Sequence, residues 1–175
     1  MASVTATPLE EYLATVYEPD REYLDGEVVE RNMGEAEHGG LQGILVGWLF
    51  ALRKELGIHV FPELRIQVAP RRYRVPDILV TTTKVKGRIV TEPPFLCIEI
   101  LSPEDRAGRL EAKIDDYLAM GVAHIWVVDP RSRNAWTYTQ QGKREAAIIL
   151  TTHDPHIRVP LNELFAELAE QVESE

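Results

Sequence analysis

The sequence predicts an α/β domain of the α+β kind, with a central mixed sheet flanked by helices. Three observations carry that expectation. Short runs rich in Ile, Val, Leu and Phe (IHVF, ELRIQVA, PDILVTT, FLCIEIL) lie between separators of Pro, Arg, Lys and Gly, as strands do. The last run is apolar on both parities apart from Glu99, the pattern of a strand covered on both faces. A helical pattern over residues 105–120 then separates it from the apolar run HIWVVD, long enough for a helical crossover within one sheet.

Each element has a local reason. Thr7-Pro8 ahead of LEEYLATVY reads as an N-cap with proline at the first helical position. REYLDGEVVERN alternates about Asp25-Gly26, a two-residue hairpin turn. Ala36 to Leu56 carries the longest helical stripe, Leu41, Leu45, Trp48, Leu49, Leu52 and Leu56, and Gly57 closes it. After the four strand runs, the helix of residues 105–120 takes its start cap from Ser102 or Asp105 and stops at Gly121. HIWVVD is a strand entering the turn Asp129-Pro130, and AWTYTQ and REAAIIL form a hairpin across Gln141-Gly142. LNELFAELAEQ is a short acidic helix.

Composition narrows the function classes. The 175 residues make one domain, 1–175, with no repeat or linker to divide it. A lone cysteine, Cys97, excludes an internal disulfide and a Cys-rich zinc site. The opening MASVTATPLEEYL has no basic leader or apolar core, which points away from secretion and towards the cytoplasm. The longest uncharged stretch, residues 39–52, falls short of the roughly 18 apolar residues that span a bilayer, so no membrane is implied. The net charge of −9 argues against a protein that coats nucleic acid. That charge is uneven: residues 64–113 hold ten Lys/Arg against six Asp/Glu, and the rest hold nine against twenty-two.

Two carboxylates interrupt apolar strands. Glu99 stands within FLCIEIL, where an ionised carboxylate costs several kcal/mol unless it is paired or binds a metal. Asp77 opens the run DILV, held extended by Pro76. Adjacent strands lie about 4.8 Å apart, so the two carboxylates can share one hard cation such as Mg²⁺. The competing reading pairs Glu99 with a buried arginine or makes it a loop cap. On the following helix, Lys113 sits at the edge of the stripe Ala107, Leu110, Ile114 and Leu118, with Arg106 and Tyr117 near it in projection. Its ammonium can reach the strand ends while its stem lies along the sheet, although a solvated helix-edge lysine would look the same. A fixed cation beside two carboxylates and a metal is what phosphodiester hydrolysis uses.

Pro76-Asp77, Glu99-Ile-Leu-Ser-Pro, Lys113 with Tyr117, Gly121-Val122 and the strand to Asp129-Pro130 together resemble the PD-(D/E)XK nuclease superfamily. Within it the chain resembles the bacterial Uma family of endonucleases, from YLDGEVVE at residues 23–30 to Trp136. The resemblance implies a restriction-endonuclease-like core and a metal-dependent endonuclease acting on DNA. It puts Asp77 and Glu99 at the metal carboxylates, with Lys113 as a lysine that has migrated to the helix, since position 101 is leucine. Glu27 and His38 match an acidic residue and a histidine near the start of the family pattern. Many relatives carry an aspartate four residues before the helix lysine, where this chain has Arg109.

The expectation is therefore a site in which Asp77, Glu99 and the carbonyl of Ile100 hold Mg²⁺ or Mn²⁺. Lys113 orients water and stabilises the transition state, with Glu27, His38 and Tyr117 as outer contributors. DNA would approach Arg71, Arg72, Arg74, Arg106 and Arg109, and cutting both strands calls for a homodimer. The rival functions are a catalytically inactive nuclease-fold binding or regulatory module, and a metal hydrolase of another phosphoester.

Overall fold

The structure is a computed structural model that describes residues 6–31, 35–103, 107–146 and 148–173. Its helices are α1 (Leu9–Ala14), α2 (Ala36–Leu56), α3 (Ala107–Met120) and α4 (Leu161–Gln171). The strands are β1 (Glu22–Leu24), β2 (Glu27–Val29), β3 (His59–Pro62), β4 (Ile66–Ala69), β5 (Arg72–Arg74) and β6 (Ile78–Thr81). They continue as β7 (Leu96–Ile100), β8 (His124–Asp129), β9 (Asn134–Thr139), β10 (Gly142–Glu145), β11 (Ile149–Thr151) and β12 (Arg158–Pro160). None of the helices is long and apolar enough to cross a membrane.

A six-stranded sheet in the order β10-β9-β8-β7-β6-β3 forms the centre. Neighbours are antiparallel except β7 and β8, which run parallel because α3 carries the chain back between them. The sheet is mixed, as the sequence predicts. Alternation divides its residues between two apolar layers. Ile78, Ile98, Ile100, Trp126 and Val128 face α2 and α4, meeting Leu41, Leu45, Leu49, Leu164 and Phe165. Leu79, Cys97, Ile125 and Val127 face the other way, towards Ile114 and Tyr117 of α3 and Ile66 of β4. Each such side chain, fully buried, contributes about 1.5–3 kcal/mol, so both layers are needed to hold the sheet.

A second antiparallel sheet, β2-β1-β5-β4, lies on the α3 side. Its far face carries Tyr12 of α1 against Tyr23 and Tyr73, with the Tyr12 and Tyr23 rings 4.9 Å apart. The β1–β2 hairpin turns at Asp25 and Gly26, both at positive φ.

Several boundaries differ from expectation. Pro8 is the residue before α1, with extended ψ, and the helix stops at Ala14. Strand β5 falls where the sequence reads as a separator, because its Arg-Tyr-Arg pattern buries only Tyr73 among apolar neighbours. The segment REAAIIL divides in two: β10 pairs with β9 around Gln140-Gln141, while β11 pairs with β12. Trp48 is half-buried and donates from Nε1 to Glu167 at 2.8 Å, and Trp126 is fully buried. The expected helix start at Asp105 lies outside the described residues.

Helix α2 offers a stability test. A Cβ at Gly43 or Gly47 would meet nothing within 4 Å, whereas one at Gly26 would lie 3.0 Å from Ala6 Cβ at a φ of +113°. Gly43→Ala and Gly47→Ala should each stabilise the protein by about 0.5–1 kcal/mol. Gly26→Ala should destabilise it by about 1–3 kcal/mol. Urea-unfolding midpoints measure all three, and a loss of stability in Gly43→Ala would contradict the open helix face.

Candidate active site

Alternation that buries Cys97 against α3 also points Glu99 towards α3. The β6–β7 register pairs Ile78 with Ile98, which sets Asp77 across from Glu99 at the same sheet end. Both carboxylates are buried, and both line a cleft of about 200 Å³ bounded by the β1–β2 hairpin, the start of α2 and the first turns of α3.

Each carboxylate is gripped by protein donors. Lys113 Nζ donates to Glu99 Oε2 at 2.9 Å, and the Tyr117 hydroxyl donates to Oε1 at 2.6 Å. Lys113 also lies 3.2 Å from Glu22 Oε1. Glu22 accepts from Arg74 Nη1 at 2.8 Å and from the Val75 amide at 3.2 Å. Arg74 in turn reaches Asp116, which Arg72 grips from two nitrogens at 3.1 and 2.9 Å. Asp77 Oδ2 accepts the Ile100 amide at 2.7 Å and has His38 Nε2 at 3.4 Å, while Oδ1 accepts Arg31 Nη2 at 2.6 Å. Gln42 Nε2 and the Glu63 amide both donate to the Asp77 carbonyl, at 2.9 and 3.1 Å, so the backbone there is fixed from two sides.

Such an arrangement offers oxygen donors, fixed positive charge and a water-accessible cleft at the ends of two strands. The family model described as "Putative restriction endonuclease", Uma2, matches residues 9–172. The chain belongs to the Uma2 family. A solved structure from Anabaena variabilis ATCC 29413, described as "a putative nuclease belonging to DUF820", is 24% identical to it. The match covers 91% of this chain and 98% of the other with a TM-score of 0.82, which establishes the shared fold. Among curated proteins, none matches the chain significantly.

The structure places Asp77, Glu99, Ile100, Lys113 and His38 along one cleft, with Tyr117 bonded to Glu99 behind it. Glu27 is different. It is exposed on β2 opposite Leu24 and does not line the cleft. The acidic residue the hairpin sends inward is Glu22, whose strand parity places it with Leu24 on the cleft side and away from Tyr23. Two of the expected phosphate contacts are corrected as well. Arg74 is 4% exposed and held by Glu22 and Asp116; Arg72 is held by Asp116 and Asp25. Arg74 is an internal counter-ion of the carboxylate network, and Arg72, 30% exposed, is engaged by two carboxylates at its edge. Arg71 and Arg109 are exposed, Arg109 at the cleft mouth, and Arg106 lies outside the described residues. Arg31 was not foreseen, and no local signal in the sequence marks it.

A hard divalent cation fits these donors. Among the described residues, no three His, Cys, Asp or Glu side chains are preset around one point. Mg²⁺ does not require that, because it commonly takes one or two carboxylates and completes its shell with water and phosphate. The converging carboxylates are hard oxygen donors of the kind Mg²⁺ and Mn²⁺ take.

The ionisation of the network follows from burial and charge. Burial pushes the Glu99 carboxyl up to about 7; the Lys113 charge opposes this and the Asp77 charge adds to it. Burial would favour a neutral Lys113, but Glu99, Glu22 and Asp77 outweigh it and hold the ammonium above its ordinary range. Burial also works against the Asp77 anion, yet the His38 hydrogen bond and the charges of Lys113, His38 and Arg31 bring its carboxyl below the usual value.

With a folded value of about 7 against an ordinary 4.5, Glu99 makes the folded state bind more protons than the unfolded state between those pH values. Its ionisation should therefore lower stability as pH rises through that window. In chelator, the urea midpoint of the wild type should fall relative to Glu99→Gln from about pH 4.5 to about pH 7. Parallel profiles for the two proteins would mean that Glu99 is ionised throughout.

Proposed function

We propose that the protein is a divalent-cation-dependent endonuclease that hydrolyses DNA phosphodiester bonds, with Mg²⁺ or Mn²⁺ held by Asp77, Glu99 and the Ile100 carbonyl. The observation that carries this reading is the convergence of two buried carboxylates from adjacent strand ends on a cleft that also holds a permanently charged lysine. Membership of a nuclease family supports it. When bound, the cation would polarise a phosphoryl oxygen and make water a stronger nucleophile.

The chain's own residues have separable roles. Lys113 keeps its proton, so it can orient the attacking water and neutralise charge developing on phosphorus. Tyr117 fixes Glu99 through Oε1, leaving the Lys113 side of the carboxylate towards the cleft. His38 and the Ile100 amide hold Asp77 in place through Oδ2. Glu22 shares Lys113 with Glu99 and so sets the ammonium position. Arg109 at the mouth and the exposed Arg71 are the phosphate contacts of a duplex, and a two-fold pair of chains would cut both strands.

Plasmid and short-duplex cleavage in Mg²⁺ and in Mn²⁺ tests the reading. Asp77→Asn should abolish cation-dependent cleavage and cation binding together. Lys113→Gln should slow cleavage by about 10²–10³ while cation binding persists, the usual effect of one electrostatic donor. Because Lys113 neutralises two buried carboxylates, it should also lose stability, by up to about 3–5 kcal/mol, so rates are compared on protein shown folded by circular dichroism. Hydrolysis of a non-nucleic phosphoester alone would move the substrate assignment. Binding of duplex without cleavage in either metal would make the protein a binding module.

The phosphate contacts have their own test. Arg109→Ala should flatten the log–log salt dependence of duplex binding by about 0.9, one neutralised phosphate. Arg74→Ala should instead lower stability by about 3–5 kcal/mol by stranding Glu22 and Asp116. Fluorescence anisotropy in Ca²⁺ at several salt concentrations reads the slopes, and an unchanged slope in Arg109→Ala would remove it from the interface.

A further inference from the structure

A divalent cation would bring two positive charges into a cleft that already holds cations beside its carboxylates, with His38 at Asp77 as well. Glu22, Asp77 and Glu99 face Arg31, Arg74 and Lys113. Binding is favoured when a competing cation leaves, or when negative charge enters with the metal. The Asp77 carboxylate makes the conflict specific. Its Oδ2 accepts the Ile100 amide at 2.7 Å, a bond that ties it to the end of β7. Its Oδ1 accepts Arg31 at 2.6 Å, a bond to a side chain that is 11% exposed and comes from a coil.

The three cations differ in how firmly they are held. Arg74 belongs to β5, is 4% exposed, and divides its nitrogens between Glu22 and Asp116. Lys113 belongs to α3 and lies between Glu99 and Glu22. Arg31 comes from the coil that follows β2, and its second partner, Glu63, is 3.3 Å away and half exposed. A guanidinium is also the group whose planar fork fits a phosphate as well as a carboxylate.

We propose that Arg31 is the counter-ion that holds Asp77 before the divalent cation binds, and that it leaves Oδ1 for a DNA phosphate when cation and duplex enter together. The inference rests on the cation-dependent reading of this same site. It makes Arg31 a positioning residue: it couples the two ligands by releasing Asp77 only when a phosphate is there to receive it. Thermodynamic reciprocity then requires duplex to tighten cation binding by the factor with which the cation tightens duplex binding. In the absence of DNA, the wild type should bind the cation poorly because Arg31 competes for Oδ1.

Calorimetric titration with Ca²⁺, with and without a short blunt duplex, tests this on the full chain. Arg31→Gln keeps a hydrogen-bond donor beside Asp77 but removes the charge. Without DNA it should bind Ca²⁺ about ten-fold more tightly than the wild type, and its gain in affinity on adding duplex should be smaller by a similar factor. Arg31→Lys, which keeps the charge, should stay close to the wild type without DNA. A structural role alone would not raise cation affinity on removal of the side chain. Equal or weaker Ca²⁺ binding by Arg31→Gln, with wild-type binding intact and lost in Asp77→Asn, would overturn the role of Arg31 and leave the cation site standing. No Ca²⁺ binding by any of these proteins, with or without duplex, would overturn the cation site and this inference with it.

Discussion

A carboxylate inside a strand covered on both faces must be neutralised where it stands, and much of this structure is arranged around that requirement at Glu99. Desolvating an ion costs several kcal/mol, which apolar neighbours cannot return. Lys113 and Tyr117, one turn apart on α3, close over its two oxygens. That fixes the rotation of α3 about its own axis and hence which of its residues, Ile114 among them, pack on the sheet. Lys113 is then shared with Glu22, Glu22 with Arg74, Arg74 with Asp116, and Asp116 with Arg72, which ends on Asp25 in the hairpin turn. A chain of alternating charge thus ties β7 and α3 to the second sheet. Buried ion pairs are a poor source of net stability compared with apolar packing. Their presence across four elements is better explained by a site that needs charge in a defined place.

The parts of this site legible in the sequence are those that break a local pattern. Glu99 and Asp77 stand out because they interrupt apolar strands, and Lys113 because it lies at the edge of a helical stripe whose direction the sequence defines. Ala36–Leu56 was readable to its ends because its stripe is long and Gly57 caps it in the left-handed conformation. Glu22, Arg31 and Arg74 break no pattern. They come from a three-residue strand, a coil and another three-residue strand, and only the pairing of β1 with β5 brings Glu22 beside Arg74. Local alternation could not tell Glu22 from Glu27 as the inward residue. Both lie on the same face of one hairpin, Glu22 opposite Val29 and Glu27 opposite Leu24, and what separates them is that Glu27 stands beside the turn while Glu22 stands at the end that meets the cleft.

The misreading of Arg72 and Arg74 has the same origin and a physical consequence for how nucleic acid would be met. The excess of basic residues over 64–113 suggests an attractive surface. In the folded protein Arg65, Arg72, Arg74 and Lys113 are taken up by Asp20, Asp25, Asp116, Glu22 and Glu99. Among the described residues, the exposed cations of that segment are Arg71, Lys84, Lys86, Arg88 and Arg109. Lys84, Lys86 and Arg88 follow β6, while Asp77 precedes it. None of these three lines the cleft.

Attraction at the cleft itself therefore comes from few groups. Arg109 stands at the mouth and Arg31 within, beside Glu30 and three buried carboxylates, on a protein whose net charge is −9. The Debye length at physiological salt is about 8 Å, so distant acidic surfaces contribute little once a phosphate reaches the mouth, but they slow its approach. On the proposed reading a divalent cation would do more than supply chemistry. Two added charges reverse the local balance at the point where a phosphate would otherwise meet Asp77 and Glu99. Without the cation, a duplex would gain little by entering; without the duplex, the cation would meet a cleft that already holds Arg31, Arg74 and Lys113. The two ligands of the proposed site would then be interdependent through charge, before any conformational change is invoked.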